Sequence, residues 1–187
     1  MLKHPRLSYF HSRAEHLHAA LLEADPGVVS YTPRPFKLTV RAKPYVPDCY
    51  VSRADGRHQV ITLQPRAEMA LADRESLEAF FALKSMSFQV ISTESIFEQE
   101  LKAQNWIDIV RTLYLARTLD TAGAELLVLN RFNASRRIRL DEFIDSGDRE
   151  RTYLIEIAVL RLLHRGVLTA PLSDTWLEFE TEFELCT

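Results

Sequence analysis

The sequence predicts an α/β protein with one mixed sheet flanked by helices, followed by a winged-helix-like C-terminal domain. The first observation is a hairpin signal, Asp55-Gly56, between two β-branched and aromatic runs at 45–51 and 58–63. Glycine takes the positive φ that such a turn needs. The second is that helical and strand periods alternate on both sides of this hairpin. The third is a change after residue 105, where helical patterns dominate and two short strands follow.

Length and composition bound the class of protein. The chain has 187 residues, 47% hydrophobic and 26% charged, which suits one globular domain or two small ones. We predict domains at 1–95 and 96–187. The sequence shows no apolar run near the roughly 20 residues of a membrane span, and no apolar stretch of a secretory signal at its start. Cys49 and Cys186 are expected as free thiols, so we expect a cytoplasmic protein.

The net charge of −3 argues against a protein that holds DNA alone, because such proteins usually present a basic face to the phosphates. A DNA enzyme with this charge needs a partner that brings it to the duplex. The dense basic cluster is Arg131, Arg136, Arg137 and Arg139. It either binds DNA phosphates or an acidic partner, or is a solvated loop before the next helix, and the sequence leaves these readings open.

The first half of the chain alternates helices and strands. Ser12-Arg13-Ala14-Glu15 is a capping box, in which the hydroxyl bonds the N3 amide and the Glu15 carboxylate bonds the cap amide. The predicted elements are a helix over 12–23, strands over 28–31, 36–41, 45–51 and 58–63, a helix over 68–84, a strand over 88–92, and a helix from Thr93 or Ser95 to Leu101. This order gives one sheet with helices packed on it.

The second half is mostly helical and ends in strands. The predicted elements are helices over 106–119, 125–132, 139–143 and 153–165 and strands over 167–168 and 176–183. Gly166 is a natural C′ residue for the last helix. Two or three helices followed by two strands form a winged-helix pattern. In the last strand, Glu178, Glu180, Glu182 and Glu184 form a row of carboxylates, which would repel phosphates and suits docking on protein.

Two carboxylates are candidates for a site. Asp48 lies in an aromatic strand, where a carboxylate is costly unless it binds something, so we favour a site role over service in a turn. Glu15 is either only the capping carboxylate or also a member of the site. The return strand facing Asp48 ends in Thr62-Leu63-Gln64, and this is the geometry of a metal-dependent phosphodiesterase site. Cys49 should point away from Asp48 into the core.

Motifs spread over nearly the whole chain occur in a specific order and spacing. They are Ser12–Glu15, Leu21–Tyr31, Arg34–Phe36, Tyr45–Asp48, Gln59–Pro65, Phe88–Ile96 and Leu162–Leu168. Together they resemble the TnsA-like endonuclease family, whose members cut one strand at transposon ends in heteromeric transposases. The resemblance implies a restriction-endonuclease-like core in the first domain. It also implies a DDE-type transposase subunit and an ATP-dependent transposition regulator as partners, with transposon-end DNA reached through them.

The resemblance also assigns site residues. Glu15 matches the family's helix carboxylate and Asp48 the aspartate of its proline-aspartate motif, and both would bind Mg²⁺ or Mn²⁺. The next strand of the family carries an acidic residue or Gln, one hydrophobic residue and a Lys. Here these positions are Thr62, Leu63 and Gln64. The implied catalytic set is therefore Glu15, Asp48, Thr62 and Gln64.

The departures at Thr62 and Gln64 weaken the predicted chemistry. Gln64 can hold a water molecule but carries no charge, and loss of a positioned acid–base group commonly costs on the order of 10²–10⁴ in rate. Three functions stay open. The chain is an endonuclease that cuts the 5′ strand, a nuclease-dead assembly subunit that docks the transposase and the regulator, or an adaptor unrelated to transposition.

Overall fold

The computed structural model describes residues 1–4, 6–145 and 147–186. The chain divides into two compact units, and each is described by itself. The first unit comprises Met1, Lys3–Leu22 and Gly27–Glu100, and the second comprises Leu2, Glu23–Pro26 and Leu101–Thr187. The functional domains at 1–95 and 96–187 stay a prediction.

The first unit contains a mixed four-stranded sheet and a separate hairpin. Its elements are α1 Arg13–Ala24, β1 Val28–Pro33, β2 Leu38–Val40, β3 Lys43–Tyr45, β4 Cys49–Arg53, β5 His58–Gln64, a 3-10 turn Pro65–Ala67, α2 Leu71–Ala82, β6 Met86–Ser92 and α3 Thr93–Phe97. The large sheet has the order β1-β4-β5-β6, and β2 pairs with β3 alone. β1, β4 and β5 are antiparallel neighbours, whereas β6 runs parallel to β5. The predicted mixed sheet flanked by helices is confirmed.

The β4–β5 hairpin forms where the sequence predicts it. Cys49 pairs with Ile61 and Ser52 with His58. The turn contains Gly56 at φ +80°, and its amide donates to the carbonyl of Arg53 at 3.0 Å. Glycine is required here because other residues rarely adopt this conformation.

The prediction of one strand over 45–51 is wrong. Tyr45 ends β3 and pairs with Leu38, whereas β4 begins only at Cys49. Pro47 lies in the intervening segment, where its ring fixes φ and removes a backbone donor, so a regular ladder is interrupted. The preceding β2–β3 turn uses positive φ angles at Arg41 (+47°) and Ala42 (+65°), the combination of a two-residue hairpin turn.

The two faces of the large sheet pack against different helices. One cluster joins α1 to the sheet and consists of Ala19, Leu22, Val28, Tyr31, Cys49, Val51 and Ile61. A second cluster joins Val60 on β5 to Leu77 and Phe81 on α2. Since neighbouring residues of a strand point to opposite faces, Val60 and Ile61 place α2 and α1 on opposite sides of the sheet.

The second unit is built from helices and a three-stranded sheet. Its elements are α4 Glu100–Leu115, which begins in the first unit, α5 Ala122–Phe132, β7 Arg137–Arg139, α6 Leu140–Phe143, α7 Arg149–His164, β8 Leu168–Thr169 and β9 Glu182–Leu185. The strand order is β7-β9-β8, with antiparallel neighbours. α4 is continuous, so the predicted interruption between 101 and 106 is wrong, and β7 was not predicted. No helix of the described residues is long and apolar enough to cross a membrane.

The predicted strand over 176–183 is also wrong, because only Glu182–Leu185 is extended and paired. The preceding residues form a turn closed by Thr181, whose hydroxyl accepts from the amide of Glu178 at 2.9 Å. The predicted row of four carboxylates therefore does not form. On the strand, Glu182 and Glu184 both face Arg137, with nitrogen–oxygen distances of 3.7 and 2.7 Å.

Gly166 ends α7 as predicted, at φ +70°. Its amide donates to the carbonyl of Leu163 at 3.0 Å, and the amide of Val167 donates to that of Leu162 at 2.9 Å. A Cβ added at Gly166 would lie 2.6 Å from Cβ of Pro26. Both the conformation and the close approach therefore require glycine.

A buried ion-pair geometry joins the end of α1 to the end of α7. Glu23 is fully buried and accepts from the amide of Leu2 at 2.8 Å through Oε1. Its Oε2 lies 3.0 Å from Nε2 of His164. A buried carboxylate needs such partners, because an unpaired charge away from water is costly.

Asn105 holds the segment that precedes β9. It is 2% exposed, its amide donates to the carbonyls of Leu172 at 3.0 Å and Thr175 at 2.8 Å, and its carbonyl oxygen accepts from the amide of Leu177 at 2.9 Å. We expect Asn105→Ala to lower the free energy of unfolding by about 3 kcal/mol, because it leaves three backbone groups without their partner.

Urea unfolding measures this change, with Asn130→Ala as the control. Asn130 is exposed on α5, so its replacement should change the free energy by less than about 0.5 kcal/mol. Equal effects of the two substitutions would contradict the role given to Asn105.

Candidate functional site

The candidate site is a small cavity of the first unit, close to the predicted carboxylates. Its volume is about 10 Å³, which is room for about one water molecule. The lining residues come from the N-terminal arm, α1, β1, β5 and the start of β4: Phe10, Glu15, His18, Ala19, Tyr31, Pro33, Asp48, Cys49 and Leu63. Both predicted metal ligands, Glu15 and Asp48, lie on its wall.

Asp48 is held by both neighbouring strands. Its amide donates to the carbonyl of Ile61 at 3.0 Å, and its carbonyl accepts from the amide of Arg34 at 2.9 Å. Its Oδ2 accepts from the amide of Leu63 at 2.7 Å. Burial raises the pKa of Asp48 above its usual value, the Leu63 amide opposes this shift, and the negative charge of Glu15 adds to it.

Glu15 caps α1 and also lines the cavity, so the two readings of this residue are compatible. Its amide donates to Oγ of Ser12 at 3.1 Å, as a capping box requires. Its Oε2 accepts from the amide of His11 at 3.0 Å. The carboxylate therefore reaches one residue further back than the predicted cap amide of Ser12.

Thr62 and Gln64 do not line this cavity. The Thr62 hydroxyl is buried and forms a hydrogen bond with the Tyr45 hydroxyl. Ile61 and Leu63 pack in the α1 cluster, and the alternation of β5 turns the residues between and after them to the opposite face. The structure thus brings Glu15 and Asp48 together and leaves Thr62 and Gln64 apart from them. The catalytic role of the four residues stays a prediction.

Cys49 is buried as predicted but does not point away from Asp48. Both residues line the cavity, because Asp48 lies in the irregular segment before β4 and the strand alternation does not extend to it. Burial raises the pKa of the Cys49 thiol to about 12, so this thiol is protonated at neutral pH. Cys49 and Cys186 are free cysteines, as expected.

His18 is a cavity residue that the sequence interpretation did not include. It is 6% exposed and lies three residues after Glu15 on α1. Burial alone lowers its pKa to about 4, so the imidazole is neutral at pH 7. The i, i+3 spacing from Glu15 is the signal that identifies it, because residues three apart share one face of a helix.

The two carboxylates on the cavity wall, Glu15 and Asp48, are of the ligand type that hard cations such as Mg²⁺ prefer. Within residues 1–4, 6–145 and 147–186, no group of three or more His, Cys, Asp or Glu side chains could hold a metal ion. Mg²⁺ is usually bound by one or two carboxylates, with water and substrate phosphates as the other ligands. Glu15 and Asp48 supply two carboxylates at this cavity, and metal binding by them stays a prediction.

Two of the four arginines of the predicted basic cluster pair with carboxylates in the second unit. Arg137 contacts Glu182 and Glu184, and Arg139 lies 2.6 Å from a carboxylate oxygen of Asp141. Arg131 lies over the ring of Phe143 at 5.3 Å. Arg136 is exposed. A role of these four arginines in DNA or partner binding stays a prediction.

Comparison of the chain with models of protein families, with curated proteins and with solved structures gave no match.

The raised pKa of Asp48 predicts a pH-dependent stability difference. The folded chain binds this proton more tightly than the unfolded chain, so Asp48 contributes stability at low pH that is lost as pH rises from 3.8 through the raised value. Asp48→Asn keeps an oxygen that can accept from the Leu63 amide, and the asparagine side chain does not titrate. We therefore expect the free energy of unfolding of Asp48→Asn minus that of the wild type to be larger at pH 7 than at pH 4.

Urea unfolding in EDTA at the two pH values checks this prediction. The exposed Asp174 provides the control, Asp174→Asn. A difference for Asp48→Asn that grows towards pH 4 would contradict the effect of burial on Asp48.

Proposed function

We propose that this protein is a TnsA-like subunit of a heteromeric transposase, a metal-dependent endonuclease that cuts the 5′ strand at transposon ends. The observation that carries the proposal is that α1 and the segment before β4 bring Glu15 and Asp48 to one cavity. The order of elements in the first unit supports a restriction-endonuclease-like core. A helix precedes three antiparallel strands of the large sheet, and a second helix connects them to a parallel fourth strand.

Mg²⁺ or Mn²⁺ is the proposed cofactor, held by Glu15 and Asp48. When bound, it would stabilise charge on the phosphate and lower the pKa of an attacking water molecule. The His11 amide uses Oε2 of Glu15, and the Leu63 amide uses Oδ2 of Asp48. Each carboxylate therefore keeps its other oxygen for the cation. These two amide bonds also fix the carboxylates before any ligand arrives, which reduces the entropy lost on binding.

The proposed reaction requires partners. A DDE-type transposase subunit would bind the transposon ends, and an ATP-dependent regulator would control the complex, as the resemblance implies. The net charge of −3 supports delivery of the DNA by a partner. In the second unit, α7 is followed by the antiparallel strands β8 and β9, and β7 between α5 and α6 completes their sheet; this order supports a winged-helix-like domain.

A second candidate function is a nuclease-dead assembly subunit that docks the transposase and the regulator. The specific observation that favours it is the position of Thr62 and Gln64, which lie on the face of β5 opposite the cavity. In this case Asp48 and Glu15 stabilise the fold, and the partner performs strand cleavage.

Variants of Glu15 separate its capping role from metal binding. Glu15→Gln keeps an oxygen for the His11 amide, so we expect the free energy of unfolding to change by less than about 0.5 kcal/mol, whereas Glu15→Ala should lower it by about 1 kcal/mol. Both variants should weaken Mn²⁺ binding in calorimetry, because both remove a negative ligand. The control is Glu68→Gln, whose side chain is 74% exposed. Unchanged Mn²⁺ affinity in Glu15→Gln would remove Glu15 from the metal site.

Cleavage at transposon ends by the reconstituted complex tests the function itself. We expect Asp48→Asn to reduce 5′-strand cleavage by more than about 100-fold, because loss of a group that only orients a metal ligand already costs about 10–100-fold. Assembly with the partner, measured by size-exclusion chromatography, should be unaffected. The control variant Glu68→Gln should cleave like the wild type. Normal cleavage by Asp48→Asn in a normally assembled complex would exclude the endonuclease function and support the assembly subunit.

A further inference from the structure

A second cavity lies in the second unit and differs in chemistry from the carboxylate site. Its volume is about 240 Å³, and its lining residues are Leu2, Leu113, Arg117, Arg161, His164 and Arg165. We call it the arginine cavity. Three of its six lining side chains are arginines, one is a histidine, and the other two are leucines. This composition suits an anionic ligand beside an apolar wall.

The ends of two helices place these arginines. Arg161 lies in the last turn of α7 and Arg165 is its C-cap residue, so the two are one helical turn apart. Arg161 donates to Oγ1 of Thr121 at 2.6 Å and to the carbonyl of Ala116 at 3.0 Å. Arg117 follows α4, and it donates to the carbonyl of Tyr114 at 2.9 Å. These contacts fix the guanidinium groups at the cavity.

The carboxylates around the cavity compensate only part of its positive charge. Glu125 pairs with Arg165, and Glu23 pairs with His164. Arg161 contacts a hydroxyl and a carbonyl, and Arg117 contacts a carbonyl and the ring of Tyr114 at 4.4 Å. None of these partners of Arg117 and Arg161 is a carboxylate. Arg117 and Arg161 therefore have no direct carboxylate partner among these contacts, and Arg161 reaches Glu125 only through the Thr121 hydroxyl, which donates to that carboxylate at 2.9 Å.

Helix capping explains a part of this arrangement but not all of it. Arginine near the end of a helix interacts favourably with its last carbonyls and with the helix dipole. A guanidinium carries five N–H donors, and the contacts described for Arg117 and Arg161 use one and two of them, respectively. Within the described part of the chain, these contacts leave four donors of Arg117 and three of Arg161 unused, and both side chains line the cavity.

We propose that the arginine cavity binds a phosphate group. The planar guanidinium matches the oxygens of phosphate and forms two parallel hydrogen bonds with them. The buried Leu113 on the wall lowers the local dielectric, which strengthens such bonds. The phosphate belongs either to a nucleic-acid backbone or to a small phosphate-bearing molecule. This site is separate from the carboxylate cavity and does not rest on the proposed function.

Calorimetric titration of the full chain with inorganic phosphate tests the proposal, at an ionic strength held constant with sodium chloride. We expect saturable binding by the wild type and about tenfold weaker binding by Arg117→Gln, because a hydrogen bond to a charged group is lost. Arg117→Lys should bind with intermediate affinity, since it keeps the charge and loses the paired donors. Arg111→Gln, an exposed position on α4, should bind like the wild type.

Absence of saturable phosphate binding by the wild type would overturn the proposal, as would equal affinity of the wild type and Arg117→Gln. If Arg117→Gln melts at a lower temperature than the wild type, Arg161→Lys is the second variant, and weaker phosphate binding is expected because it keeps the charge and loses the paired donors. A short DNA duplex then distinguishes the sources of phosphate. Displacement of bound phosphate by the duplex identifies a nucleic-acid backbone, and no displacement identifies a small phosphate-bearing molecule.

Discussion

The hydrogen bonds of Asp48 are the interaction on which the first unit depends. At this residue the chain leaves the β2–β3 hairpin and enters the large sheet. The backbone of Asp48 bonds Ile61 on one side and Arg34 on the other, while its carboxylate bonds the amide of Leu63. Three backbone segments are therefore tied at one position. A partly buried carboxylate is costly when it is charged, and the hydrogen bond from the Leu63 amide offsets part of this cost.

Local signals predicted the elements whose geometry is decided locally. The cap at Ser12, the turn at Gly56 and the end of α7 at Gly166 each depend on a few neighbouring residues. The strand predicted over 176–183 failed for the opposite reason. Its polar and apolar residues alternate, but Asn105 binds this segment from a distant helix and Thr181 closes a turn within it. Such distant partners are not visible in a short window of sequence.

In the candidate site, too, some features were predictable from local sequence and others were not. Glu15 and Asp48 were predicted from motifs, and both line the cavity. Which face of the sheet the Thr62 and Gln64 side chains occupy depends on the strand register, because a shift of one residue turns a side chain to the other face. His18 was missed because a single histidine in a helix carries little information until its burial is known. The types of residue at a site are therefore easier to predict from sequence than the directions in which their side chains point.

The close approach of Gly166 to Pro26 links distant parts of the second unit mechanically. Pro26 follows the last residues of α1, where Glu23 holds His164 at the edge of the arginine cavity. Any side chain at Gly166 would clash with Pro26, which lies three residues after the carboxylate that contacts His164. A residue with no functional group of its own therefore sets how closely the chain after α1 approaches the end of α7.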